Sequence, residues 1–193
     1  MTCPGVPDFY QGTELWDFNL VDPDNRRPVD YALRREMLAT IKAGVEANAA
    51  DLRPWLAGLL QGAEDGWVKL FLIWRTLNWR RAHKRLFDGG NYVPLEAQGA
   101  KPQHVCAFAR AFEGQQAITV VPRRVVSLTE ENERLPLGAE IWDTTSLVIP
   151  ESQPGAEYHN VLTGERLKAT EAGLPVAEVF SSFPVALLER IPG

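Results

Sequence analysis

The sequence predicts an α+β fold in which a helical first part is followed by an antiparallel β-sheet part. Two observations carry this prediction: apolar residues recur every three or four positions up to about residue 88, and every second position beyond it. The string Asp88-Gly89-Gly90-Asn91 separates the two patterns and is typical of a break between elements. We therefore predict one domain over residues 1–88 and a second, all-β domain over residues 89–193.

Three amphipathic helices are predicted in the first domain, over residues 31–48, 50–61 and 65–87. Asp30 is a candidate N-cap for the first helix, and Gly62 is expected to end the second. The third helix has the strongest periodicity and places Trp67 and Trp74 on one apolar stripe. Because such a stripe is typical of a helix face turned toward a core, we predict packing roles for both tryptophans.

Short strands separated by turns that contain Gly or Pro predict an antiparallel β-sandwich of about a hundred residues for the second domain. The predicted strands cover residues 92–96, 104–112, 116–122, 139–143, 146–148, 157–161, 166–169 and 185–190. A helical turn is predicted over residues 175–181, before the last strand. Trp142 and Tyr158 are the aromatic residues of this domain that a ligand would meet if the sandwich presented them at its surface.

Composition and charge exclude several classes of function. A net charge of −5 argues against a nucleic-acid partner, and the basic run over residues 80–85 is interpreted as a solvated helix end. No stretch has the roughly 18 apolar residues of a membrane span, and no signal-peptide pattern is present. The two cysteines are expected to be reduced thiols, which favours a cytoplasmic protein. The three histidines lack partners at metal-ligand spacing, so neither a metal nor a cofactor is predicted.

The opening segment, defined here as residues 1–31, has the composition of a binding site. Its apolar run over residues 6–10 is interpreted as a brief buried strand, followed by polar groups at Gln11 and Glu14. An aromatic ring covers the apolar face of a pyranose, while amides, carboxylates and guanidinium groups exchange hydrogen bonds with its hydroxyls. A structural interpretation is equally open: residues 22–25 form a turn that Arg26 and Arg27 hold by pairing with neighbouring carboxylates.

Particular strings in the chain resemble a known family. PGVPDFYQGTEL, from Pro4, resembles the eighth-strand segment of the α-amylase superfamily, and LVDPDNRRPVD, from Leu20, resembles maltooligosyl trehalose synthase in particular. Further strings agree in the expected order: LFDGGNYVPLEAQG from Leu86, HVCAFAR from His104, VVPR from Val120, NVLTGERL from Asn160 and FPVALLER from Phe183. The resemblance covers nearly the whole chain, but only the C-terminal part of the family.

The resemblance implies that the helical domain is the end of a (β/α)8 barrel, with its last strand, loop and helices. It also implies an isomerase of trehalose biosynthesis, which converts the reducing-end α-1,4 linkage of a maltooligosaccharide into an α,α-1,1 linkage by glycosidase-like, retaining chemistry. The family's catalytic carboxylates lie on earlier barrel strands, and a complete barrel takes about 250 residues. We therefore expect this chain to be inactive alone, with the rest of the barrel or another copy of the chain as its partner.

Resemblance and side-chain chemistry together nominate seven residues for contacts with a maltooligosaccharide and none for catalysis. They are Tyr10, Gln11, Glu14, Asp24, Asn25, Arg26 and Arg27. Two alternatives stay open. A stand-alone carbohydrate-binding module would need aromatic side chains at the surface of the sandwich, and a purely structural or oligomerisation domain would have no affinity for sugar.

Overall fold

The computed structural model describes residues 1–20, 22–129, 134–150 and 152–192. The α-helices are α1 (Tyr31–Ala47), α2 (Arg53–Gln61), α3 (Trp67–Ala82), α4 (Lys84–Gly89), α5 (Val125–Leu128), α6 (Ala139–Trp142) and α7 (Val176–Val179). The strands are β1 (Asn91–Gln98), β2 (Val105–Phe112), β3 (Gln115–Pro122), β4 (Ser146–Val148), β5 (Glu157–Asn160), β6 (Arg166–Lys168), β7 (Leu174–Pro175) and β8 (Ala186–Arg190). The long helices precede the strands, so the predicted mixture of helices and antiparallel sheet is confirmed.

The eight strands form one hydrogen-bonded sheet in the order β6-β5-β8-β3-β2-β1-β4-β7, and their pairings are antiparallel. Strand β1 has two partners, because its first half pairs with β2 and its last three residues pair with β4. The predicted sandwich of two separate sheets is therefore wrong. The shared strand β1 joins what would have been the two sheets into a single one.

Two hydrophobic cores lie on opposite faces of this sheet. On β3, Ala117 packs with residues of α1 to α4, while its neighbour Ile118 packs with the core that contains α6 and α7. On β8, Leu187 and Leu188 divide in the same way. Successive side chains of a strand point to opposite faces, so an apolar pair at adjacent positions serves both cores. The helical part is thus packed directly onto the central strands.

Most of the helix signals in the sequence are confirmed. The carboxylate of Asp30 accepts a hydrogen bond from the backbone N–H of Leu33 at 2.9 Å, which is the geometry of an N-cap. Gly62 is the C-cap of α2, although this helix begins at Arg53 and not at residue 50. Trp67 and Trp74 are partly buried against the helix-side core, as predicted.

The predicted continuous helix over residues 65–87 is interrupted at His83, between α3 and α4. The φ and ψ angles of His83 are −107° and 39°, and its backbone N–H is shared between the carbonyls of Trp79 and Arg80. The His83 ring also stacks on Trp79, with ring centroids 4.0 Å apart. A shared N–H of this kind is common where a helix ends, and the apolar periodicity continues through it unchanged.

Residues 139–143 do not form the predicted strand, because α6 occupies this position. Gly138 and Asp143 bracket the turn with positive φ angles of 74° and 48°. Ile141 and Trp142 are neighbours and both are buried, which a helical turn against a core allows and a strand with one exposed face does not. The helical turn predicted over residues 175–181 is confirmed by α7.

Three further features concern only the part of the chain that the structure describes. No helix there is both long enough and apolar enough to cross a membrane. Cys3 and Cys106 are free thiols at the surface. No group of three or more His, Cys, Asp or Glu side chains is arranged to hold a metal ion.

Candidate functional site

Residues 6–10 of the opening segment are exposed, apart from the half-buried Pro7, and lack regular secondary structure. The side chain of Val6 is 93% exposed and that of Tyr10 is 76% exposed. The backbone carbonyl of Tyr10 accepts a hydrogen bond from the N–H of Thr13 at 3.0 Å, so a turn ends this run. The predicted brief buried strand is wrong for this chain, because none of the described strands pairs with these residues.

Glu14 and Gln11 are used to attach the opening segment to helix α1. The Oε2 atom of Glu14 accepts hydrogen bonds from Arg34 Nε at 3.1 Å and from the backbone N–H of Gly12 at 3.0 Å. Arg34 Nη2 also donates to the carbonyl of Gly12 at 2.6 Å. Gln11 Oε1 accepts a hydrogen bond from the hydroxyl of Tyr31. These contacts fix the turn that presents the neighbouring polar groups.

The two nominated arginines pair with carboxylates of their own turn. Arg26 forms two hydrogen bonds with Asp22, through Nε at 3.0 Å and through Nη2, and Arg27 Nη2 donates to Asp24 Oδ1 at 3.2 Å. The structural interpretation of this turn is therefore confirmed. All four side chains remain largely exposed, so these pairs contribute little stability and are accessible to a ligand. The side chain of Asn25 lies outside what the structure describes.

A shallow cavity of about 270 Å³ brings part of the nominated set together. Gln11 and Arg27 line it, whereas Tyr10, Glu14, Asp24 and Arg26 do not. Its wall also contains five polar or aromatic residues that were not nominated: Trp16, Asp17, Asn19, Asp30 and Arg34. The cavity therefore combines an amide, a guanidinium and an aromatic ring, which are the groups that suit sugar hydroxyls and a pyranose face.

Trp16 is the most informative of the missed residues. Its indole N–H donates to the carbonyl of Ala63 at 2.6 Å, and the ammonium group of Lys69 lies 4.9 Å from the centre of its ring. The side chain stays 44% exposed at the cavity. The sequence signal was an aromatic residue among amides and carboxylates, which marks the segment but does not show which ring is held in place.

Larger clefts lie elsewhere, and two of them lack aromatic residues in their linings. One, of about 450 Å³, lies between the loop that joins α1 to α2 and the β5–β6 hairpin, with Asp51, Arg53 and Glu165 in its wall. The other, of about 560 Å³, lies beside Glu157 and Arg190. A third, of about 300 Å³ beside Val6 and Arg80, has Phe87 in its wall, but this ring is only 2% exposed. Because a pyranose is normally bound against an aromatic face, the cavity beside Trp16 is the better candidate for a saccharide site.

The two aromatic residues of the β-sheet part that were candidates for binding a sugar are buried. Trp142 and Tyr158 have no exposed surface. The indole N–H of Trp142 donates to the carbonyl of Pro136 at 2.8 Å, and the hydroxyl of Tyr158 donates to Ser152 at 2.9 Å. Both polar atoms are thus satisfied inside the protein, and the open question about these two residues is answered in favour of packing.

Comparison with known proteins gives a consistent result. No protein-family model matches the chain. Candidate maltooligosyl trehalose synthases of two Mycobacterium tuberculosis strains, CDC 1551 / Oshkosh and H37Rv, are each 36% identical over 191 residues, which is 98% of this chain and 19% of the relative. The solved structures of maltooligosyltrehalose synthase from Arthrobacter ramosus and of a single-substitution mutant are 34% identical, with TM-scores of 0.68 and 0.69, and they match 98% of this chain and 21% of theirs.

The chain therefore spans about one fifth of the length of the relatives that it matches. Sequence and fold agree over the same 98% of the chain. By both measures, this chain is homologous to a C-terminal portion of maltooligosyl trehalose synthase.

Proposed function

We propose that this chain supplies the C-terminal part of an enzyme that isomerises maltooligosaccharides. The reaction breaks the α-1,4 linkage at the reducing end and forms an α,α-1,1 linkage to the same glucose, so it is an intramolecular transglucosylation that needs no co-reactant. Similarity to maltooligosyl trehalose synthases along 98% of the chain carries the proposal. The unpaired thiols of Cys3 and Cys106 support a cytoplasmic location.

In this proposal the opening segment contributes one side of the saccharide site. Gln11 and Arg27 line the cavity beside Trp16, and the exposed ring of Tyr10 is available to cover an apolar sugar face. The ion pairs Arg26–Asp22 and Arg27–Asp24 hold the turn next to the cavity. Glu14 pairs with Arg34, which lines the cavity. The nominated set therefore divides into residues suited to touch a sugar and residues that shape the turn.

The partner in this proposal is the remainder of a (β/α)8 barrel. Val6, Phe18 and Leu20 are 83–93% exposed, so the described residues leave these large apolar side chains in water. Contact with the remainder of a barrel would remove them from water. Residues 1–88 would then be the end of the barrel, in which residues 6–10 would form a strand only against the missing strands, and residues 89–193 would be a separate packing domain.

An amide NMR titration with maltopentaose tests the binding part of the proposal. The expected result is that shifts are confined to residues 10–27 and are lost in Arg27→Gln, whose exposed ion pair matters little for stability. Arg35→Gln removes an exposed charge of α1 outside the cavity lining and serves as the matched control. Shifts that are unchanged in Arg27→Gln, or that appear around the β5–β6 hairpin, would contradict this assignment.

The same sample tests whether the chain is catalytically incomplete. We expect no α,α-1,1 anomeric proton signal after prolonged incubation with maltopentaose, because the family's catalytic carboxylates lie on strands that this sequence does not contain. Appearance of that signal with the pure chain would overturn this part of the proposal.

A structural or oligomerisation domain is the second candidate, and the exposed apolar residues of the opening segment favour it. In that case a second copy of the chain would cover Val6, Phe18 and Leu20. Sedimentation would then show a dimer, and Phe18→Asp would dissociate it. A compact monomer that does not bind a hydrophobic dye would contradict both this candidate and the barrel partner.

A further inference from the structure

Arg80, on helix α3, binds the backbone at the start of the opening segment. Its Nη1 atom donates to the carbonyls of Met1 at 2.8 Å and Cys3 at 3.2 Å, and its Nη2 atom donates to the carbonyl of Gly5 at 2.5 Å. The guanidinium also lies 4.8 Å from the centre of the Phe87 ring. One side chain thus holds three alternate carbonyls of a five-residue stretch.

Arg110, on strand β2, holds the neighbouring backbone, and its guanidinium lies 5.7 Å from the centre of the Phe87 ring. It is only 2% exposed, and its Nη2 atom donates to the carbonyls of Phe87 at 2.9 Å and Gly90 at 2.7 Å. Longer contacts reach the carbonyl of Asn91 from Nε, at 3.3 Å, and that of Thr2 from Nη1, at 3.4 Å. Arg110 therefore connects β2, the end of α4 and the chain start.

The acceptors of both guanidinium groups are neutral carbonyls. Neither arginine forms an ion pair within the described residues. Burial, followed by repulsion from Arg80, lowers the pKa of Arg110 from its usual range. Burial of a charged guanidinium is unfavourable unless hydrogen bonds replace its lost hydration. The planar fork of a guanidinium suits several carbonyls at fixed positions. These contacts specify a backbone path.

The opening segment is held at a second place, beyond its exposed middle. Arg34 binds Glu14 and Gly12, and the indole of Trp16 binds the carbonyl of Ala63. Gln11 belongs to this second attachment, because it accepts a hydrogen bond from the hydroxyl of Tyr31. Residues 6–10 therefore lie between two attachments, with Tyr10 exposed next to the second one. The position of this span depends on where its first attachment lies.

We infer that Arg80 and Arg110 are positioning residues, which fix the start of the opening segment and thereby place Tyr10 for a saccharide. The saccharide half of this inference rests on the proposed function. The positional half rests only on the hydrogen bonds to the carbonyls of residues 1–5 and 87–91. A separate measurement tests each half of the inference.

A nitroxide label in the middle of the span tests the positional half. The label is attached through Asp8→Cys in a chain whose two native thiols are replaced by Cys3→Ser and Cys106→Ser, all at exposed positions. Arg80→Gln is expected to shift its spectrum toward the fast motion of a free loop, on the nanosecond scale. Arg81→Gln is the matched control, because Arg81 is exposed and its described hydrogen bond goes to Asn78.

Arg80→Lys keeps the charge without the fork, so we expect a mobility between those of the unaltered chain and Arg80→Gln. Arg110 is buried, and Arg110→Met is examined only if its circular dichroism shows a folded chain. An immobile label in Arg80→Gln, or an equal effect of Arg81→Gln, would overturn the positional half.

Maltopentaose titration of the unlabelled variants tests the saccharide half. We expect Arg80→Gln to raise the Kd about tenfold and Arg81→Gln to leave it unchanged. If the label becomes mobile while the Kd stays constant, the two arginines do not position a saccharide site. If the unaltered chain shows no saccharide shifts at all, the proposed function fails while the positional half stands on the label.

Discussion

The β-sheet part and the opening segment treat large apolar side chains in opposite ways. Trp142 and Tyr158 are completely buried, whereas Val6, Phe18 and Leu20 are exposed to water. Burial of such a side chain contributes about 1.5–3 kcal/mol, so the first group stabilises this fold and the second does not. The sheet part therefore contains the partners that it needs for its own core, whereas the described residues do not cover the apolar side chains of the opening segment.

The largest expected effect is that of Trp142→Ala. This substitution removes a fully buried ring that packs 5.2 Å from Phe180, centre to centre, and should lower the free energy of unfolding by about 3–5 kcal/mol. Phe18→Ala, at an exposed aromatic of the opening segment, should change it by no more than about 0.5 kcal/mol. Urea unfolding followed by circular dichroism measures both. Equal losses of unfolding free energy in the two variants would contradict the contrast between the buried and the exposed aromatic residue.

A smaller effect is expected where the helices meet the sheet. Arg75, on α3, donates from Nε to the carbonyl of Val161 at 2.9 Å, and burial lowers the pKa of Arg75. Arg75→Met leaves that carbonyl without this donor, so the free energy of unfolding should fall by about 1–3 kcal/mol. Arg53→Met is the control, because Arg53 and its partner Asp51 are exposed, and it should leave the urea midpoint nearly unchanged. A midpoint shift in Arg53→Met as large as that in Arg75→Met would contradict the assignment.

The smallest effect concerns a surface carboxylate of the sheet. A hydrogen bond and charge attraction from Lys168 lower the pKa of Glu157 below its ordinary value of 4.5. A carboxyl with a lowered pKa adds stability above its ordinary pKa, and this stability is lost as the pH falls through the lowered pKa. Glu157→Gln should therefore lower the melting temperature slightly at neutral pH and not at all in strong acid. A difference that grows toward acid pH would contradict the sign.

Local signals predicted much of the fold, and tertiary contacts explain the errors. Asp30 and Gly62 act within a few residues of their own positions, so their capping roles were visible in the sequence. The strand predicted over residues 139–143 was wrong because a run of five residues does not distinguish a strand from a helical turn. The break at His83 depends on a backbone hydrogen bond shared with Trp79 and Arg80, which apolar periodicity does not record.

The candidate site was predicted as a segment, but its internal roles were not. Composition identified the residues around Gln11 and Arg27, which share a cavity. The use of Glu14 as a partner of Arg34 depends on the docking of α1, twenty positions away, and no local pattern shows it. Whether an apolar run such as residues 6–10 is buried depends on tertiary contacts, so the sequence of this segment alone could not decide its exposure.

The carbonyl contacts of Arg80 have a consequence for variation among related chains. Arg80 binds main-chain oxygen atoms of Met1, Cys3 and Gly5, and every residue type offers such an atom. Substitutions at positions 1 and 3 should therefore be tolerated as long as the backbone path is kept. Gly5 differs, because its φ of 96° is strained for other residues although a Cβ there would meet no atom within 4 Å. We therefore expect Arg80 and Gly5 to be conserved among related chains, and the side chains at positions 1 and 3 to vary.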